Sequence, residues 1–254
     1  IAPQGDKEGA IDSTVERRNL LYRSDDMRIK QFAANVDQLL IVVAVEPAFS
    51  DDLTGRALVA AWSPGIEPLI ILNKTDLVAG LDNARRHLAS LTRLGIRVIE
   101  LSALQPERVQ ELLLPELQNR TSLLLGQSGM GKSTLLNSLV PDALAHTQEH
   151  SQALGAGKHT TTSTRLYHLP GNVGDLIDSP GFQAFGLYHL GATDIERGFP
   201  EFTAVIKDCR FYNCTHRHEP GCGVLAALKR GEITQERHEL YQRILAENES
   251  KSRY

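Results

Sequence analysis

The chain lacks any long apolar run. Nowhere do about eighteen apolar residues follow one another, the length a bilayer-spanning helix requires, so no membrane span is expected. No secretory or transit segment is visible at the N-terminus, although Ile1 in place of an initiator Met leads us to expect the remainder of a longer chain. Excess basic charge is missing too. The formal net charge is −4, which argues against a uniformly basic nucleic-acid binder. Arg17, Arg18, Arg23, Arg28 and Lys30 leave room for a local basic face, though such clusters are more often plain solvated surface. Cysteine is scarce. The three present, an odd number, all fall between residues 209 and 222, which makes a poor disulfide framework and a better metal site. Reducing cytoplasm is the compartment this implies. Repeats and low-complexity tracts are absent, and 254 residues suffice for one large domain or two smaller ones.

What is present is organised around Gly126, Gln127, Ser128, Gly129, Met130, Gly131, Lys132, Ser133 and Thr134, which read G-x-x-x-x-G-K-S-T. Thr121–Leu125 ahead of them is a short apolar run that suits a buried strand, and Leu135–Leu139 behind them has helical spacing. Strand, glycine loop, then helix is the context in which this pattern cradles phosphates. Backbone N–H groups turn inward and the helix start adds partial positive charge. Lys132 is expected to reach the β and γ phosphates, and Ser133 to ligate Mg²⁺.

Around that loop the pattern is strand–helix alternation. Gln38–Val45, Pro68–Leu72 and Arg97–Leu101 read as strands. Asp51–Trp62, Asp82–Leu94 and Glu107–Leu117 read as helices, the first stopped by Ser63-Pro-Gly65. Such βα units imply a mostly parallel sheet with helices on both faces, and ligands held beyond the carboxyl ends of its strands. Arg165–His168 and Asp175–Ile177 read as neighbouring strands joined at Pro170-Gly-Asn172. At the N-terminus, Ala10–Val15 alternates like a strand and Asn19–Tyr22 suits another. From Ile233 a helix is expected with Leu240, Tyr241, Ile244 and Leu245 on one side.

Further motifs sit at strand ends. Asn73-Lys-Thr-Asp76 follows the second strand. A carboxylate at Asp76 can accept from guanine N1–H and its N2 amino group, discrimination worth about 1–3 kcal/mol against adenine. Asn73 would contact the purine edge and tether the loops, while the Lys74 stem covers one ring face. Ser102 and Ala103, after the next strand, would complete the pocket with a backbone N–H. Asp178-Ser-Pro-Gly181 offers a carboxylate that can hold Mg²⁺ through water and a Gly181 N–H for the γ-phosphate. Thr160-Thr-Thr162, in an irregular stretch, offers hydroxyls for Mg²⁺. Thr161 is favoured as the ligand, with Thr160 close behind. Cys209-x4-Cys214-x-His216-x5-Cys222 supplies three thiolates and an imidazole, enough to close a tetrahedral Zn²⁺ shell with no open position. Spacing alone leaves His218 as a rival to His216.

Taken in order, Asn-Lys-x-Asp, Ser-Ala, phosphate loop, Thr loop and Asp-x-Pro-Gly are the motifs of a GTPase in rotated sequence. The chain thus resembles the circularly permuted GTPases, and most closely the bacterial ribosome small-subunit-dependent GTPase A (RsgA) family. The resemblance extends through Gly157-Lys-His-Thr-Thr-Thr162, Asp178-Ser-Pro-Gly-Phe182 and the Cys/His segment. It implies an α/β fold: a circularly permuted P-loop GTPase domain over 35–198, preceded over 1–34 by the end of an N-terminal OB-fold and linker, and followed over 199–254 by a helical zinc-binding domain. It selects His216 as the fourth zinc ligand. It also implies GTP hydrolysis to GDP, with Mg²⁺ and structural Zn²⁺, in a cytoplasmic monomer that binds the small ribosomal subunit and its rRNA. Phe182 stands where many GTPases carry a water-orienting Gln, so intrinsic hydrolysis should be slow and His159 is the candidate for positioning water. The γ-phosphate loop is expected to run directly into the zinc segment and reorient it. The competing classes are a P-loop ATPase or small-molecule kinase, and an RNA- or ribosome-binding scaffold that nucleotide merely stabilises.

Overall fold

A computed structural model describes residues 2–3, 9–24, 29–141, 143, 164–181 and 184–251. The centre is a six-stranded sheet. In chain order the strands are β1 (Ala2–Pro3), β2 (Gly9–Ala10), β3 (Leu20–Ser24), β4 (Ile29–Ala34), β5 (Gln38–Ala44), β6 (Glu67–Asn73), β7 (Arg97–Glu100), β8 (Thr121–Gly126), β9 (Arg165–His168) and β10 (Asp175–Asp178). The sheet runs β7-β6-β5-β8-β10-β9 and is parallel except for β9, which pairs antiparallel with β10. All residues of β5 are buried, as a strand covered on both faces must be.

Side-chain alternation along β5 divides the core. Leu39, Ile41 and Val43 join a cluster with α1 (Asp51–Trp62) and α2 (Val78–Arg93). Leu40, Val42 and Ala44 face α3 (Pro106–Leu117) and α4 (Lys132–Leu139). Helices thus cover both faces. α1 begins where Ser50 Oγ accepts from Leu53 N at 3.2 Å and Asp51 and Asp52 sit at the positive helix end. α2 starts a turn earlier than the sequence reading placed it, because its first turn, Val78-Ala-Gly-Leu81, adds no buried residue to the apolar pattern.

The C-terminal part is α5 (Ala192–Arg197), α6 (Pro200–Thr203), α7 (Gly223–Arg230) and α8 (Gln235–Lys251). Leu240, Tyr241, Ile244 and Leu245 of α8 are all buried, on the side the sequence indicated. They share one continuous core with Ala57, Leu58 and Ala61 of α1, so the edge drawn at 198/199 crosses packed side chains, not a linker.

Two expectations fail. Ala10–Val15 is not a strand: only Ala10 pairs, and Ile11 and Val15 are largely exposed, with no strand among the described residues pairing with them. The loop after Asp178 does not run directly into the metal segment either. Ser24 N donates to Gly186 O at 3.0 Å, Leu187 bridges Ser24, and Asn248 Nδ2 donates to Leu187 O at 3.1 Å. The chain is therefore pinned to the β3–β4 hairpin and to α8 before α5 begins. Phe32 of that hairpin stacks on Phe185, ring centroids 6.2 Å apart.

Candidate functional site

Successive units step from β5 outward to β6 and β7, and from β8 the opposite way to β10. The crevice for a ligand lies where those directions part, beyond the ends of β5 and β8. β8 ends at Gly126, where a Cβ would come within 2.6 Å of the Val42 carbonyl. Only glycine lets the two strand ends approach this closely. The loop then places Gln127 Oε1 as acceptor for Ser50 N at 2.9 Å, fixing it to the start of α1. Met130 is buried beneath it, while Ser128 and Gly129 are exposed. Gly131 caps α4 at φ 88°, and a Cβ there would collide with Asn73 Nδ2.

Asn73 is what joins the two motif sets. Its Nδ2 donates to Met130 O at 2.9 Å, and its Oδ1 accepts from Lys74 N at 2.8 Å and Ala103 N at 2.9 Å. Lys74 at φ 62° extends Nζ to Gly129 O at 2.9 Å. Asn73, Lys74, Ser102, Ala103 and the phosphate loop therefore meet at one rim of the sheet. Asp76 follows in the exposed turn before α2, its carboxylate facing solvent. Ala103 differs from the sequence reading in one respect: its backbone N–H is engaged by Asn73 instead of standing open. Ser138 Oγ donates toward Ala103 O at 3.2 Å, holding the same turn from α4.

On the other side of the loop, Ser179 Oγ donates to Leu124 O at 2.7 Å, anchoring the Asp178–Gly181 segment to β8. A Cβ on Gly181 would lie 3.4 Å from Lys132 Nζ and 3.6 Å from Ser128 N, so this segment crosses the mouth of the phosphate loop. Burial pulls the Lys132 ammonium below its ordinary range, and the Asp178 carboxylate pushes it the other way. Bound polyphosphate would add counter-charge there. Ser133 and Thr134 are exposed in the first turn of α4, which carries no acidic residue. This donor set fits an anion with its Mg²⁺. His159, Thr160 and Thr161 lie outside the described residues.

A second cluster lies between α6 and α7. The ligand atoms of Cys209, Cys214, His216 and Cys222 are all within 4.8 Å of one another. His216 Nδ1 stands 3.6 Å from Cys209 Sγ and 3.4 Å from Cys222 Sγ, and its Nε2 is 3.1 Å from Glu196 Oε2. A carboxylate behind the imidazole fixes the tautomer that offers Nδ1 to a metal. Gly223 N donates to Cys209 Sγ and Leu225 N to Cys222 Sγ, as suits sulfurs that carry negative charge. Burial, with the neighbouring cysteines, pushes the Cys214 thiol up to about 12 and raises Cys222 as well. Such thiols become thiolates side by side only when a cation balances them. The donors therefore fit a closed metal centre. His218 is exposed and takes no part.

A family model described as RsgA GTPase matches residues 14–188. The chain belongs to the RsgA GTPase family. Among relatives, the small ribosomal subunit biogenesis GTPase RsgA of Bordetella pertussis is 69% identical over 248 residues, covering 98% of this chain and 83% of that one. The RsgA of Paraburkholderia xenovorans is 56% identical over 245 residues, covering 94% and 78%. YjeQ from Thermotoga maritima superimposes with a TM-score of 0.73 at 29% identity, over 93% of this chain and 77% of its own. YloQ, a circularly permuted GTPase, gives 0.73 at 28% identity, over 98% and 78%. The rotated motif order is thus an RsgA arrangement, carried on the strand order described above.

Sequence reasoning missed Glu196, twenty residues before His216, because no spacing rule ties a carboxylate to a distant imidazole. It also missed Ser50 as the partner of Gln127, 77 residues away. Neither contact has a local signature.

Proposed function

We infer that this chain is a GTPase that binds the small ribosomal subunit, hydrolyses GTP to GDP and phosphate late in that subunit's maturation, and does so slowly until the subunit stimulates it. Family membership makes it a GTP hydrolase. One observation supports the guanine reading most directly: Asn73 hydrogen-bonds Met130, so the base-reading and phosphate-reading motifs share one rim despite their rotated order. In this reading Asp76 accepts from the guanine edge, and Lys74 covers the ring. Lys132 and the N–H groups of residues 127–133 hold the phosphates. Ser133, Thr161 and, through water, Asp178 would hold Mg²⁺, which supplies charge neutralisation at the phosphates. Thr160 stands beside them and the Gly181 N–H faces the γ-phosphate. His159 positions the attacking water, since the Phe182 ring offers no hydrogen bond. Cys209, Cys214, His216 and Cys222 hold Zn²⁺ in a structural role. The partners are the small subunit with its rRNA, the compartment is cytoplasm and the protein acts as a monomer. Residues 1–34, 35–198 and 199–254 serve as OB-fold end, GTPase domain and zinc domain.

The test is GTP hydrolysis with and without isolated small subunits, with ATP as control. GTP-selective turnover that rises with subunits is expected, and His159→Ala should spare GTP binding but abolish the rise. Equal use of ATP, or turnover indifferent to subunits, would sink this reading.

A further inference from the structure

Cys209 and Cys214 bracket a short loop, Arg210-Phe-Tyr-Asn213, that no role above absorbs. Cys214 N donates to Phe211 O at 3.3 Å, which closes a four-residue turn with Tyr212 and Asn213 at its corners. Arg210 N donates to Gly221 O at 2.9 Å and ties the start of the loop to the far side of the cluster. Both ends of the loop, Cys209 and Cys214, are therefore residues of the Cys/His cluster. On this fixed base Tyr212 stands 103% exposed, with no ring or hydrogen-bond partner among the described residues. Phe211 is 40% exposed, and the Arg210 guanidinium lies 5.5 Å from its ring centroid.

Charge narrows what such a tip meets. Between Cys209 and Cys214 the loop holds Arg210 and no acid, with Asp208 exposed just ahead of it. Glu219, beyond the loop, is turned inward: its carboxylate accepts from Thr215 N at 2.8 Å, Arg217 N at 3.1 Å and His218 N at 3.2 Å. The tip thus offers aromatic faces and the Arg210 guanidinium, for which the described residues show no ion pair, on a molecule whose formal net charge is −4, while Arg217 is already paired with Glu249 at 2.9 Å. Attraction for a polyanion must be local on such a protein, and this is a local source. Aromatic faces beside arginine are how proteins hold unstacked bases, whereas duplex RNA keeps its base faces covered. A protein pocket can also take an exposed tyrosine, but has less use for a guanidinium held beside an aromatic ring.

We propose that Tyr212, with Phe211 and Arg210, stacks on an unpaired base of the small subunit's RNA. The inference rests on the functional reading above and names the partner chemistry of its metal-clipped module.

The test compares Tyr212→Ala and Tyr212→Phe with the unaltered protein in binding to isolated small subunits. Zinc content and intrinsic GTP turnover serve as controls for folding. Tyr212→Ala should weaken binding about tenfold or more, the usual scale of one lost base–aromatic stack, while Tyr212→Phe stays within about twofold. In a Trp62→Phe background, Tyr212→Trp should lose emission when subunits bind, because a stacked base quenches indole. Unchanged binding by Tyr212→Ala overturns the proposal. So does an equal loss in Tyr212→Phe, or a blue shift without quenching, which signals a protein pocket. If the unaltered protein binds no subunits, the functional reading falls and this inference with it.

Discussion

The Asn73 amide donates to the Met130 carbonyl and its oxygen accepts two backbone N–H groups, all at or below the floor of the nucleotide rim. Asp76, three residues on, is exposed, and its backbone carbonyl accepts from Val78 N at 3.0 Å. Substitutions at the two positions should therefore separate. Asn73→Ala leaves the Ala103 N–H and Met130 carbonyl unpaired in a buried place, a loss of about 1–3 kcal/mol of stability in urea denaturation, and it should weaken GTP and ATP binding alike. Asp76→Asn should leave the melting temperature unchanged and reduce GTP affinity about ten- to a hundredfold, with ATP affinity unmoved. Matching effects from both would mean that Asp76 supports the fold instead of reading the base. The four residues from Asn73 to Asp76 were legible in the sequence because their order is local. The three contacts of Asn73 were only half legible, as tethering could be expected but not its targets.

At the scale of elements, strands were readable wherever a continuous apolar run had to be covered on both faces, as in β5, β6 and β8. β4 was not. Its Ile29-Lys-Gln-Phe pattern exposes most side chains, and Phe32 finds its cover in Phe185, far along the chain. α1 was read to its ends, yet its surroundings were hidden. Residues Thr54 through Ala61 are all buried because the sheet covers one side and α5 and α8 the other. Arg56 is the polar bolt in that sandwich. Its Nε reaches Asp52 at 2.7 Å, and its terminal nitrogens take Glu247 at 2.8 and 2.6 Å. Both acids pull its guanidinium further toward the charged form against burial. Arg56→Ala should cost about 3 kcal/mol by chemical denaturation, at the lower end for a broken buried pair because Asp52 and Glu247 keep partial access to water. A loss below about 1 kcal/mol would show that α1 and α8 hold together by apolar packing alone.

For the whole molecule, the Cys/His cluster has reach beyond its own loop. Phe199 and Phe202 stack at 5.2 Å, Tyr241 meets both, and Phe202 also packs on the His216 ring at 6.0 Å. Those rings belong to the same core as α1 and the sheet. One zinc per chain is expected by elemental analysis. Removing it with a chelator should lower the melting of the entire chain in a single transition, read by circular dichroism at a helical and an aromatic wavelength together. A separate early transition that leaves GTP binding intact would show the metal module to be a detachable appendage. Four cysteine and histidine positions announced this centre in the sequence. Its fusion with α1 did not show, since packing between helices well over a hundred positions apart leaves no periodic trace.

Strand order also has a consequence in time. β5 lies in the middle of the sheet, bonded to β6 on one edge and to β8 on the other, with Gln38 opposite Ser122, 84 residues later. During synthesis, at about 5–20 residues per second, that second edge stays open for on the order of ten seconds while the half that carries Asn73–Asp76 is already made. A nascent chain of this design emerges with its most apolar strand half-paired, and it depends on translation keeping pace to deliver the phosphate loop that closes it.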